Sequence, residues 1–91
     1  MPSFFWPDKD PSDVLDYSID WSSALGADTI SSVTWTVPSG LAMESQSNTT
    51  TAATIWLSGG AAGTVYEVTC RIVTAGGREI ERSASLRVHN L

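Results

Sequence analysis

From Tyr66 to Ile72 every second residue is apolar or aromatic, with Tyr66, Val68, Cys70 and Ile72 on one parity and Glu67, Thr69 and Arg71 on the other. Successive side chains of a strand point to opposite faces, so this alternation predicts a half-buried strand with the first set inward. Gly76 and Gly77 follow, and glycine takes the positive φ values of a tight hairpin without steric cost. The next run keeps the parity: Ile80, Ala84, Leu86 and Val88 face inward, and Glu79, Glu81, Ser83, Ser85 and Arg87 face water. Arg82 falls on the apolar parity, and its long stem predicts a rim position from which the charge reaches out.

The rest of the chain divides in the same way. Val14 to Trp21 alternates, with Leu15, Tyr17, Ile19 and Trp21 opposite Asp16, Ser18 and Asp20. Ser22 to Asp28 reads as a connection with a short helical turn. Thr29 to Val37 is rich in β-branched residues and serine, and places Val33, Trp35 and Val37 on one face. Pro38, Ser39 and Gly40 make a turn. Leu41 to Ser47 is a weaker strand, and Gln46 to Thr51 is a polar connection. Thr51 to Ser58 sends Ile55 and Leu57 inward and, against their parity, Trp56 outward. Before all of these, Met1 to Ser12 has prolines at 2, 7 and 11 and no alternation, which predicts an extended arm.

Six or seven short strands at this spacing, with no sustained helical period and no repeat, predict an all-β fold. Its expected form is an immunoglobulin- or fibronectin III-like antiparallel β-sandwich, with an extended N-terminal arm at 1–12 and a single sandwich domain at 13–91. Tyr66 follows the Gly59 to Gly63 turn and opens its strand. A tyrosine at that corner of such sandwiches ties its hydroxyl to backbone a few residues upstream. The segment L-S-G-G-A-A-G-T-V-Y-E-V-T-C-R-I also resembles the fibronectin type III pattern there. A tyrosine corner speaks for a fold and not for a ligand.

Composition narrows the function. The 91 residues include four tryptophans, which bury large areas and help a small core. The one cysteine, Cys70, has no internal partner and is expected to be an inert core thiol, compatible with a reducing compartment. A net charge of −5 with five Lys and Arg argues against nucleic acid, which is bound by clustered basic side chains. Arg71, Arg78, Arg82 and Arg87 gather in the last two strands, as scattered solvated charges or a small basic face. No apolar run reaches membrane-spanning length, and no basic segment followed by an apolar core marks a signal peptide.

No chemistry can be assembled from the remaining residues. Asp8, Asp10, Asp13 and Asp16 are spaced loosely like a calcium loop, yet an EF-hand starting at Asp8 would need glycine where Asp13 stands and glutamate where Ile19 stands. Solvated carboxylates on an arm and an edge strand account for them better. His89 is the only histidine, is expected outward, and lies close to the last residue, where chains fray. One His and one Cys make neither a hydrolase triad nor a metal set, so no enzyme, metal or cofactor is expected. Asn48-Thr49-Thr50 matches a glycosylation sequon, a three-residue pattern that arises readily by chance.

Two aromatic features stay unabsorbed. Phe4, Phe5 and Trp6 sit on an arm too short for a core of its own, so they fold back over a sheet edge, enter a neighbouring molecule, or stay exposed at a cost. Trp56 is either an interface anchor or covered by a loop or the arm, unless a bulge shifts its parity.

Four pieces in order carry a family resemblance: W-P-D-K-D-P-S-D-V-L-D-Y-S-I-D-W, D-T-I-S-S-V-T-W-T-V-P-S-G-L, T-I-W-L-S-G-G-A-A-G and Y-E-V-T-C-R-I-V-T-A-G-G-R. Together they resemble small phage virion proteins known as fiber-tail adaptors, which have immunoglobulin-like folds. The resemblance implies a virion structural protein, made in the host bacterial cytoplasm, that joins tail and fiber components through protein contacts. It carries over no catalytic residue, nucleic acid and membrane being already disfavoured by charge and hydropathy, and such a chain can be monomeric in isolation and oligomeric on the particle. Phe4, Phe5, Trp6 and Trp56 are then the expected partner contacts. The rival is a carbohydrate- or receptor-binding module of the virion surface with Trp56 stacked on a sugar ring, although near Trp56 only Thr54 and Ser58 share its parity. An assembly factor that never enters the particle is a third reading.

Overall fold

A computed structural model describes residues 4–91 and the side chains from Phe5 onward. Seven strands and one helical turn follow in order among the described residues: β1 (Phe4–Phe5), β2 (Leu15–Asp20), α1 (Ser22–Leu25), β3 (Ile30–Thr36), β4 (Leu41–Asn48), β5 (Ala52–Gly59), β6 (Thr64–Thr74) and β7 (Glu79–Val88). They form a four-stranded sheet in the order β1-β7-β6-β3 and a three-stranded sheet in the order β2-β5-β4. The fold is the expected β-sandwich. Among the described residues the strand pairings are antiparallel except that of β1 with β7, and an isolated bridge of Lys9 with Val88 is also parallel.

The inward parities read from the sequence meet between the two sheets. Tyr17, Ile19, Ile55 and Leu57 pack from one side, and Trp35, Tyr66, Val68, Cys70, Ile72, Leu86 and Val88 from the other. Trp21 and Leu25 close one end of this core. The longest pairing, β6 with β7, runs from Thr64 opposite Val88 to Val73 opposite Glu79. It turns at Gly77, whose φ of 89° is the positive value for which glycine was expected there. Arg82 lies on the rim with its guanidinium 6.0 Å from the centroid of the Trp21 ring. The indole Nε1 atoms of Trp21 and Trp35 are buried without a hydrogen-bond partner among the described residues.

The N-terminal segment is extended as expected, and its course goes beyond what the sequence predicts. Met1 to Ser3 lie outside the described residues, but the remainder is built into the sandwich. Phe4 and Phe5 pair in parallel with Ala84 and Ser85. The Trp6 and Lys9 N–H groups donate to the Ser85 and Arg87 carbonyls, and His89 N–H donates back to the Lys9 carbonyl, each at 3.0 Å. The segment then crosses to the other sheet, where Trp6 Nε1 donates to the Ser18 carbonyl at 3.3 Å and the Tyr17 hydroxyl to the Pro7 carbonyl at 3.4 Å. It is therefore a strap that closes the side of the sandwich between β7 and β2. The missing alternation has a physical reason: a strand that changes sheets has no constant inward face.

Candidate functional site

The outer face of the three-stranded sheet is set by β2, β5 and β4. Ile55 and Leu57 are fully buried, so Trp56 between them must project the other way, and it is 41% exposed. It occupies the central strand, opposite Asp16 on β2 and Ser45 on β4. Ser18 and Thr54, on the same parity, join their hydroxyls at 2.9 Å. On β4 the register slips between Met43 and Ser45, and Glu44 at this irregularity accepts a hydrogen bond from the Ser58 hydroxyl. Val14, just before β2, is also exposed. The result is a flat surface of hydroxyls and carboxylates around one indole.

The N-terminal aromatics separate. Phe5 is 81% exposed, opposite Ser85 on the outer side of the other sheet. Trp6, expected with it as a partner anchor, is instead partly buried against the core. Its ring stacks on Tyr17 at 4.8 Å and 19° and lies 6.1 Å from Trp35. Trp6 thus folds back onto its own chain, with its ring on Tyr17 and its Nε1 on the Ser18 carbonyl, and holds the strap. The side chain of Phe4 lies outside what the structure describes.

Tyr66 sits at its corner with its hydroxyl accepting the Ala61 N–H at 2.8 Å. This ties the end of β6 to the loop before it, five residues upstream. Gly40 gives the ring room, since a Cβ there would stand 3.0 Å from the Tyr66 hydroxyl oxygen.

Sequence reasoning missed Lys9. It is wholly buried, and its Nζ donates to the Gly59 carbonyl at 2.7 Å and the Asp10 carbonyl at 2.9 Å. A visible signal was available: Lys9 is the sole lysine, set in W-P-D-K-D-P, the piece that sandwich physics alone does not require. The aspartates around it are partly engaged rather than simply solvated. Asp10 accepts from the Ser12 and Leu91 N–H groups, Asp13 from the Asp10 N–H, and Asp8 contacts His89 Nε2 at 2.7 Å. His89, expected to fray, is thus held through both backbone and ring.

Burial pushes the Cys70 thiol up to about 12. Among the described residues there is no pocket and no group of three His, Cys, Asp or Glu side chains placed to hold a metal ion. No helix is long and apolar enough to cross a membrane. Arg71, Arg82 and Arg87 share β6 and β7 with Glu67, Glu79 and Glu81, and Arg71 forms an ion pair with Glu79, so the basic charge there is offset.

Comparison with known proteins gives a family and a fold. The family model described as podophage GP4 fiber-tail adaptor protein gp77 matches residues 9–87. No curated protein matches the chain. Among solved structures, the chain is similar to the solution structure of the PKD domain from KIAA 1837 protein, with 24% identity, a TM-score of 0.59, and coverage of 93% of this chain and 82% of that one. This second likeness carries the sandwich fold alone.

Proposed function

The chain belongs to the podophage GP4 fiber-tail adaptor gp77 family, and from that premise we propose that it is a structural protein of the phage tail that joins tail and fiber components by protein contacts. It acts on the virion after assembly in the host bacterial cytoplasm. Its exposed aromatics are the contacts: Trp56 on the three-stranded sheet and Phe5 on the strap. The observation that carries this reading is Trp56, which keeps 41% of its surface exposed at the centre of a sheet face that none of the described residues covers. Tryptophan is a frequent anchor of protein interfaces because one side chain supplies a large rigid contact.

The test is a phage carrying Trp56→Ala. Truncating an interface tryptophan typically costs about 2 kcal/mol or more in binding, roughly 30-fold in affinity. The variant protein is expected to fold as the wild type and to be strongly depleted from purified particles, measured by quantitative mass spectrometry. Normal incorporation of the folded variant would refute the contact. A specific glycan-array signal that Trp56→Ala abolishes would establish the carbohydrate reading in its place.

A further inference from the structure

The face around Trp56 is electrostatically one-sided. Asp16 stands directly across from Trp56, Glu44 bonds Ser58 one step along the same parity, and Asp20 lies farther along β2. The described face holds no lysine or arginine: Lys9 is buried, Arg71, Arg82 and Arg87 lie on β6 and β7, and Arg78 lies in the turn between them.

Three physical consequences bear on what could sit there. The face of an indole is the negative pole of its quadrupole and attracts a cation within about 6 Å of the ring. Carboxylates beside it reinforce that field, and an apolar partner would desolvate them with nothing in return. The β4 edge is also a poor template for an added strand. From Glu44 to Asn48 it is polar, and the irregularity at Glu44 breaks its ladder, as bulges do where edge pairing is resisted. A partner therefore approaches the face and not the edge.

We infer that the face of the β2-β5-β4 sheet centred on Trp56 docks a cationic protein surface, with an arginine or lysine side chain stacked on the indole and its neighbours paired with Asp16 and Glu44. This rests on the reading of Trp56 as a tail or fiber contact and names the chemistry of what meets it. Arginine suits the site best, because its planar, weakly hydrated guanidinium stacks and pairs at once.

Two experiments test it. In the first, isotope-labelled protein is titrated with an eight-residue peptide alternating arginine and glycine, and with its glutamate counterpart. The indole N–H resonance of Trp56, assigned through Trp56→Phe, is followed by NMR. The cationic peptide is expected to shift it saturably, and the binding to weaken several-fold as salt rises from roughly 0.05 to 0.5 M. Asp16→Asn with Glu44→Gln should lower the affinity roughly fivefold. A shift with both peptides, with neither, or confined to Glu67, Glu79 and Glu81 would overturn the inference.

The second experiment compares phages carrying Asp16→Lys with Glu44→Lys against those carrying Trp56→Ala, each protein first shown to fold by circular dichroism. Both are expected to be depleted from particles at least tenfold. Depletion by Trp56→Ala alone leaves the contact standing and removes the cationic partner. Wild-type incorporation of both removes the tail-contact reading itself.

Discussion

Lys9 is the residue whose environment is least like its composition. A lysine with 0% exposure, held by the carbonyls of Gly59 and Asp10, has its stem packed and its ammonium hydrogen-bonded by backbone alone. Buried lysines are rare because the charge loses its hydration, so the site depends on both carbonyls remaining in place. Lys9→Ala empties the stem's volume and orphans two buried acceptors, and is expected to destabilise the protein by about 3 kcal/mol. Lys9→Met keeps most of the volume and is expected to cost about 1–2 kcal/mol. Urea denaturation of the two variants measures the difference, and equal losses would assign the whole effect to the hydrogen bonds.

At the scale of elements, the turn between β5 and β6 receives the strap. Gly60 has a φ of 96°, and a Cβ there would stand 2.8 Å from a Val88 methyl, while Gly63, at 84°, faces open space. Both need a conformation that side chains resist, but only Gly60 is also hemmed in by the core. Gly63→Ala is expected to cost about 1 kcal/mol from backbone strain, and Gly60→Ala about 2–3 kcal/mol as Val88 is displaced as well. Denaturation midpoints decide it; a smaller loss at Gly60 than at Gly63 would mean that the loop moves aside. The strap was legible as an extended, proline-bearing segment, but its docking was not. Its partners, Ser85, Arg87, Ser18 and Gly59, are far away in the chain, and no local period marks them.

For the whole molecule, the titrating groups define a pH window. Asp10, Asp20 and Asp28 are lowered from 3.8, chiefly by the Leu91 N–H, the Ser22 N–H and the Thr74 hydroxyl respectively. A carboxylate favoured by the fold adds stability above its unfolded value, and this is lost as pH falls through the lower folded values. Tyr17 is pushed from 10.0 up to about 12 by burial and then by the charges of Asp13, Asp8 and Asp16, and Cys70 from 9.0 up to about 12 by burial. For these acids the fold favours the neutral form. Their contribution is complete below the unfolded values and is lost as pH rises through the folded ones. Thermal unfolding against pH is therefore expected to show a plateau between about pH 5 and 9, with a decline below 4 and another between 9 and 12. Cys70→Ala should lessen the early part of the alkaline decline, and Tyr17→Phe the later part.

The alternation of Tyr17 and Ile19, of Ile55 and Leu57, and of Tyr66 through Ile72 determined which face each strand buries, because a period of two is a local property of the backbone. It also determined that Trp56 points away from the core, since its neighbours on both sides point in. Tertiary structure alone decided the rest. Trp6, adjacent in sequence to the exposed Phe5, stacks on Tyr17 because the strap crosses between sheets at that point. Lys9 is buried because Gly59, fifty residues away, presents its carbonyl there. The carboxylates of Asp16 and Glu44 flank one indole because β2 and β4 pair with opposite edges of β5. Cross-strand register, which no local pattern encodes, turned an outward tryptophan into a charged face.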